Sequence, residues 1–499
     1  METTKGLYTA QQVKLGEINA AKACEISMYA LMKRAGKAAY EYASNAYPHI
    51  KKWVILCGGG NNGGDGYVIA QLAKKAGISV SLVALVDPSK LTGDAATAKD
   101  EYLLHGGEVL SELDHIDGLI IDALLGTGLS GDVRESARAW ISRVNESTSP
   151  VVSVDVPSGL CSDTGRVMGN AIVADHTVSF IGVKQGLVTG AGRGHCGKIE
   201  FAGLGVSQVF EQENQASANL LSKQLLVNKL NPRPKNSHKG KNGKALLIGG
   251  NKGMGGAIVL ASEACARSGA GLTAALMAKE SMMACLTRTP EVMSGDWSGG
   301  EALNHRVQWS DVLAIGPGLG RTEQSESRFE VAIELAKGKA KVVDADALWH
   351  LAQSPRWNAQ WILTPHSGEA AMLLGCSAEE VENDRYKAVR QIQNQYGGIC
   401  VLKGPGTLIA DKDAVYVCPA GNAGMASGGM GDVLTGVIAA MLAQGQSLLD
   451  SALCGVLLHS MAADELAESE GQIGLLAGDL APKIRELIKF YSESSGNNF

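Results

Sequence analysis

KWVILCGGGNNGGDGYVIAQLAKK, residues 52–75, decides how this chain is to be read. An apolar run, Lys52–Cys57, stops at a glycine-rich stretch, Gly58–Gly66, and a helix-forming run, Tyr67–Lys75, follows. Strand, turn and helix in that order make the repeating unit of a parallel sheet covered on both faces. Further strands are expected downstream at Val80–Val86, Leu119–Asp122 and Val151–Val156, with a helical segment upstream over Tyr8–Tyr47. Polar Val206–Ala218 carries no strand signal and reads as a linker leading into a helix.

The same unit returns in the second half. Lys244–Ile248 leads into Gly249–Gly256, and Asp311–Ile315 into Gly316–Gly320. Lys341–Val343 ends at Asp344, Trp361–Leu363 ends at Thr364–Pro365, and Ile399–Leu402 leads into Lys403–Gly406. A hairpin-like pass, Thr407–Val417, precedes Gly421–Asp432 and a helix with Val433, Leu434, Val437, Ile438, Met441 and Leu442 at helical spacing. The expected fold is α/β: two three-layer α/β/α domains, residues 1–215 and 222–499.

Composition narrows the function classes. A net charge of −6 without long single-sign runs gives no support to a nucleic-acid or membrane-surface partner. No apolar run reaches the roughly 18 residues that span a bilayer, and no signal peptide is read at the start. The 10 cysteines are scattered singly, which argues against zinc ribbons and disulfide frameworks and for a reducing, cytoplasmic setting.

Two glycine-rich turns carry the chemistry. In the first, Gly58, Gly60 and Gly63 spell GxGxxG, and Asp87 ends the next strand where a ribose-binding acid can sit. Asn61, Asn62 and Asp65 supply more oxygen-bearing side chains than a plain dinucleotide turn requires. Asp122 and Asp155 end other strands, the first followed by Gly126–Asp132 and the second by Pro157-Ser158-Gly159. Asn62, Asp122 and Ser158 can offer hard oxygen ligands, and a single carboxylate suits a monovalent cation. Asp155 and Lys184 are acid/base candidates. In the second turn, Gly428–Gly431 places free amides at a helix start, an anion site, with Asp432 in the first turn to take a hydroxyl proton. Lys403–Thr407 can hold a nucleotide phosphate or sugar edge although it is not a P-loop. Gly316–Gly320 can line a groove, and His366 can contact a substrate; Asp344 and Asp346 read equally well as a charge network. His459 reads as packing.

Taken in order, these motifs resemble the bifunctional NAD(P)H-hydrate repair enzymes, an epimerase domain followed by an ADP-dependent dehydratase domain. The resemblance covers nearly the whole chain and implies a Rossmann-like first domain and a ribokinase-like second one. It implies that Asn61, Asn62, Gly63, Gly64, Asp65, Gly126, Thr127, Gly128, Leu129, Ser130, Gly131, Asp132 and Asp155 meet the hydrated nucleotide, NADHX or NADPHX. Asn62, Asp122 and Ser158 would bind potassium. Ala257, Gly318, His366 and Asp432 would contact the hydrate in the second domain. ADP, the co-substrate, would lie on Lys403, Gly404, Pro405, Gly406, Thr407, Asn422, Ala423, Gly424, Met425, Ala426, Ser427, Gly428, Gly429, Met430 and Gly431, with magnesium as the phosphate counterion. A homo-oligomer is expected. Ser367 and Ala423 stand where the family often has Pro, and Met430 where it often has Thr or Ser, which removes a hydroxyl near the phosphate. Two other readings remain open on the residues: a vitamin-precursor kinase on the same second domain, and a first domain that binds without catalysing.

Overall fold

A computed structural model describes residues 3–495. The chain divides into two compact units: Gly6–Ala218, and Asn219 onward together with the first residues through Lys5.

The first unit is built on a seven-stranded sheet with every recorded pairing parallel. Lys52–Cys57 lies between Ser79–Ala84 and Leu119–Ala123; Val151–Val154, His176–Phe180 and Lys198–Ala202 continue on one side, Val109–Leu110 on the other. Trp53, Ile55 and Cys57 point into one buried cluster and Val54 and Leu56 into another. That alternation places core on both faces of the sheet, as its near-continuous apolar strands require.

Several local expectations are revised. The segment over Tyr8–Tyr47 is two helices, Ala10–Ala23 and Met28–Ala46, separated where Glu25 adopts a left-handed φ of 56°. Thr9 and Ser27 cap their starts. The expected linker contains a helix, Ser207–Glu213, whose Phe210 is fully buried against Tyr8 with ring centroids 4.7 Å apart. Its polar residues hid one aromatic anchor. The helix after Cys57 begins at Asn61, six residues before Tyr67, despite Gly63, Gly64 and Gly66. Tertiary packing overrides their poor helix propensity. A Cβ on Gly58 would sit 1.8 Å from the Leu124 carbonyl oxygen, and one on Gly63 would sit 2.0 Å from the Gly58 oxygen. Only glycine permits those two approaches.

The second unit holds an eleven-stranded sheet. Lys244–Ile248 lies between Leu272–Met277 and Val312–Ile315; Ala340–Val343, Trp361–Leu363 and Ile399–Leu402 follow in parallel order. Leu408–Ala410 and Val415–Val417 form the antiparallel hairpin that the sequence suggested. Ala218–Leu221 joins beyond them, with Thr4–Leu7 at the edge. Met430–Ala443, apolar nearly all round, is buried between the sheet and other helices. Among the described residues no helix is long and apolar enough to cross a membrane.

Candidate functional site

Both candidate sites lie at the carboxyl ends of parallel strands, where an open α/β sheet presents loops and helix starts to a ligand.

In the first unit, Asp122 closes the strand Leu119–Ala123 and is fully buried. Its carboxylate accepts from Ser158 N (2.9 Å), Ser158 Oγ (2.5 Å), Ser153 Oγ (2.8 Å) and Leu124 N (3.3 Å). Burial raises its pKa, and those hydrogen bonds oppose the rise. Asn62 Nδ2 donates to the Leu125 carbonyl at 3.1 Å, and Ser158 Oγ lies 3.2 Å from the same oxygen. Asn62, Asp122 and Ser158 therefore converge around Leu125. The set comprises hard oxygens and one carboxylate without a basic side chain against it, and this fits a monovalent cation. Among the described residues no group of three or more His, Cys, Asp or Glu side chains is placed to hold a metal ion.

Asp155 follows the next strand with a left-handed φ of 66°, uncommon outside glycine. Its carboxylate pairs with Lys184 Nζ and accepts from Phe180 N at 3.1 Å. Lys184 is 1% exposed, and its ammonium also donates to the Phe180 carbonyl at 3.0 Å. Two further carboxyls bear on this pair. Asp65 is raised well above the ordinary range, by burial first and then by Asp155 and Glu17, with Lys184 opposing. Glu17 is raised to about 7 by burial and Asp155, with Lys184 and Lys14 opposing. Burial and the Asp155 charge both favour the neutral form of Asp65 and Glu17, and the Lys184 ammonium opposes them. Glu17 escaped the sequence reading because it sits on an amphipathic helix far from any glycine turn. Gly126–Asp132 runs from beside Asn62, where a Cβ on Gly126 would lie 3.2 Å from the Asn62 Cβ, outward to exposed Asp132. Asp87 takes no part: it is exposed, and it caps the short helix Pro88–Lys90 through Ser89 N and Oγ at 3.0 and 2.7 Å.

In the second unit, Gly429 (φ 89°) turns the chain into Met430–Ala443. Asp432, in the first turn, is raised to about 7 by burial first and then by Asp344; Lys403 opposes, and Glu369 and Asp346 add to the rise. Lys403 Nζ donates to Asp344 Oδ1 at 2.8 Å and lies 3.6 Å from Glu369 Oε2. Burial works against the Lys403 ammonium, yet these carboxylates outweigh it and its pKa is raised. Arg385, fully buried, donates to the Leu402 and Lys403 carbonyls at 3.1 and 3.2 Å and so braces the turn at Gly404. A Cβ on Gly318 would lie 3.3 Å from that of Ala257, so these two candidates share one wall. His366 caps Ser367–Leu374 through Nδ1, which accepts from Gly368 N at 3.0 Å and Glu369 N at 3.3 Å; the remaining Nε2 carries the proton in the neutral ring. Asn422 is committed locally, with its Nδ2 on Asp464 Oδ1 and its Oδ1 on Gly424 N, each at 2.9 Å. Met430 is buried in the core and Ser427 Oγ donates to the Leu475 carbonyl, so the donors that Gly428–Gly431 could offer an anion are backbone amides. Asp346 holds Gly320 N and Arg321 Nε, each at 2.9 Å, and shapes the loop Gly316–Gly320. His459 is buried and pushed down to about 4 by its surroundings, a packing residue. Ser367, in place of the family's frequent Pro, is hydrogen bonded to Glu382, the ion partner of Arg385.

This arrangement has known counterparts. Residues 245–486 match the family model of NAD(P)H-hydrate dehydratase, and residues 28–186 match that of the YjeF-related protein N-terminus. A bifunctional NAD(P)H-hydrate repair enzyme of Vibrio cholerae is 52% identical, with 96% of this chain and 98% of that protein aligned. The chain belongs to the bifunctional NAD(P)H-hydrate repair enzymes. An Escherichia coli member of the same name is 42% identical over 98% of this chain and 96% of its own. A ribokinase-like superfamily protein of Enterococcus faecalis superposes with a TM-score of 0.52 at 30% identity, covering 55% of this chain and 96% of its own. The two family-model matches thus fall one in each compact unit, residues 28–186 within the first and 245–486 within the second.

Proposed function

We propose that the chain interconverts the R and S hydrates of NADH and NADPH in its first unit and dehydrates the S hydrate at the expense of ADP in its second. The observation that carries this is Asp432: a half-buried carboxyl raised to about 7 at a glycine-built helix start, beside a lysine held by two other carboxylates. A base there takes the hydrate's hydroxyl proton as the oxygen attacks the terminal phosphorus of ADP, and AMP departs. Phosphate is a far better leaving group than hydroxide. Its loss from the ring carbon, with a proton from the neighbouring carbon, restores the double bond and yields NAD(P)H, AMP and phosphate. The Gly428–Gly431 amides and Lys403 offset the charge that develops on the phosphoryl oxygens. Magnesium would arrive bound to ADP and offset phosphate charge there; Asp344 has both oxygens already engaged by Lys403 and Thr435. Ten free cysteines suit the reducing cytoplasm.

The test follows the recovery of dihydronicotinamide absorbance from mixed hydrates. With ADP, recovery is expected to go to completion and to release AMP and phosphate in equal amounts. A stable phosphorylated nucleotide as the end product would mark a kinase instead.

The Asn62, Asp122 and Ser158 oxygens would hold potassium, whose charge would offset the buried Asp122 carboxylate and fix the Leu125 turn next to Gly126. Epimerisation and the thermal transition of the first unit are both expected to rise when potassium replaces a bulky organic cation. In Asp122→Asn both responses disappear; an ion response equal to wild type in that variant would refute the site.

A further inference from the structure

Asp344 is the most enclosed acid of the second site, 1% exposed at the end of the strand Ala340–Val343, and nothing in its chemistry requires it to touch a substrate. Both of its oxygens are engaged. Oδ1 accepts from Lys403 Nζ and Oδ2 from Thr435 Oγ1, each at 2.8 Å. Lys403 comes from the turn after Ile399–Leu402, and fully buried Thr435 lies one helical turn beyond Asp432 on Met430–Ala443. One carboxylate therefore ties together the two walls of the anion cradle. Gly431 leaves room for this: a Cβ there would lie 3.2 Å from Lys403 Nζ and 3.8 Å from Asp344 Oδ2. Arg385 fixes the backbone of Lys403 from below. The ammonium is thereby held at the edge of the cradle, and its charge is partly cancelled by Asp344 and Glu369 before it reaches Asp432.

We propose that Asp344 is a positioning residue of the dehydratase reaction, which anchors Lys403 to the helix that carries Asp432 and sets the charge under which Asp432 takes the hydroxyl proton. This rests on the reading of Asp432 as the base. The physical reason is a balance of signs. An unshielded lysine beside Asp432 would keep the carboxylate ionised and make it a poor proton acceptor. With Asp344 present the lysine still compensates the phosphoryl charge, yet Asp432 remains basic enough to act near neutral pH.

The test uses the full chain, Mg-ADP and purified S hydrate, with kcat/KM for the hydrate measured against pH. In the wild type the acid limb should lie near neutral pH and vanish in Asp432→Asn. In Asp344→Asn, which keeps the shape and removes the charge, the limb should move to lower pH, with about a ten-fold higher proton concentration needed to halve activity. Should Asp344→Asn fold poorly by thermal melting, Thr435 carries the test. Thr435→Val should lower kcat, and Thr435→Ser, which restores the hydroxyl, should recover it. An acid limb that stays in place in Asp344→Asn while activity falls equally at every pH would make Asp344 a purely structural acid and overturn the proposal. Equal activity in both Thr435 variants would do the same. A wild-type profile with no acid limb would instead overturn the role of Asp432, and this proposal with it.

Discussion

Asp432→Asn is expected to lower ADP-dependent dehydration of the S hydrate by about 10²- to 10⁴-fold, the range that loss of a general base produces, while epimerisation stays at its wild-type rate. Asn fills the same volume but has no lone pair basic enough to accept the hydroxyl proton. In the wild type the same step has a pH signature. Asp432 is raised to about 7, so its ionised form is lost as pH falls through that value, and dehydration falls with it. Stability changes in the other direction. An acid whose pKa is higher folded than unfolded favours the folded chain while protonated, and loses that contribution as pH rises through the folded value. At pH above 7 the ionised, half-buried Asp432 therefore lacks that contribution, whereas the Asn variant carries no such charge. Its melting temperature there should be no lower than wild type. Near-normal dehydration by a well-folded Asp432→Asn would remove the base from this position.

The architecture was legible because both halves repeat one pattern, an apolar run that ends in glycine. Lys52–Cys57, Lys244–Ile248, Trp361–Leu363 and Ile399–Leu402 coincide with strands, since fully buried parallel strands have to be continuously apolar. Lys198–Ala202 was missed because it is the edge strand, partly exposed and interrupted by charges, and His176–Phe180 because His176, Thr177 and Ser179 break its apolar run although Thr177 and Ser179 are fully buried. Ser207–Glu213 looked like a linker because its burial rests on Phe210. The sites divide in a similar way. Glycine turns announce themselves through backbone chemistry, so Gly58–Gly66 and Gly428–Gly431 could be found from spacing alone. Charge networks depend on what the fold brings together across long sequence separations. Asp344 and Lys403 stand 59 residues apart, and Glu17, on the helix Ala10–Ala23, feels the charge of Asp155 at the end of a strand. Neither association has a local signature. Asp344 is part of a charge network, bonded to Lys403 and Thr435, and the role proposed for it in the site rests on that network.

Asp155→Asn should have the complementary effect, a loss of roughly 10²- to 10⁴-fold in R-to-S conversion with S-hydrate dehydration unchanged. Given mixed hydrates and ADP, this variant should consume the S form and then stall with the R form left over. The reason lies in the cluster around Lys184. Interconverting two hydrates at one ring carbon requires a group that gives up a proton and takes one back, and on the proposed reading that group is Asp155, whose side chain is 18% exposed just beyond a strand end. Lys184, at 1%, is enclosed, and on the same reading it would act through Asp155, whose carboxylate it holds while donating to the Phe180 carbonyl. The two variants should therefore fail differently. Asp155→Asn keeps a neutral partner for the ammonium and a melting temperature close to wild type. Lys184→Met strands three carboxyls without their cation, and breaking a buried pair from one side costs about 3–5 kcal/mol, so the first unit should melt earlier as well as lose activity. Raised pH should deepen that loss, because Glu17, held at about 7 even with Lys184 present, would then ionise into an uncompensated cluster. If Asp155→Asn converts R to S at the wild-type rate, the proton passes through another group, and Glu17 is the next carboxyl to replace.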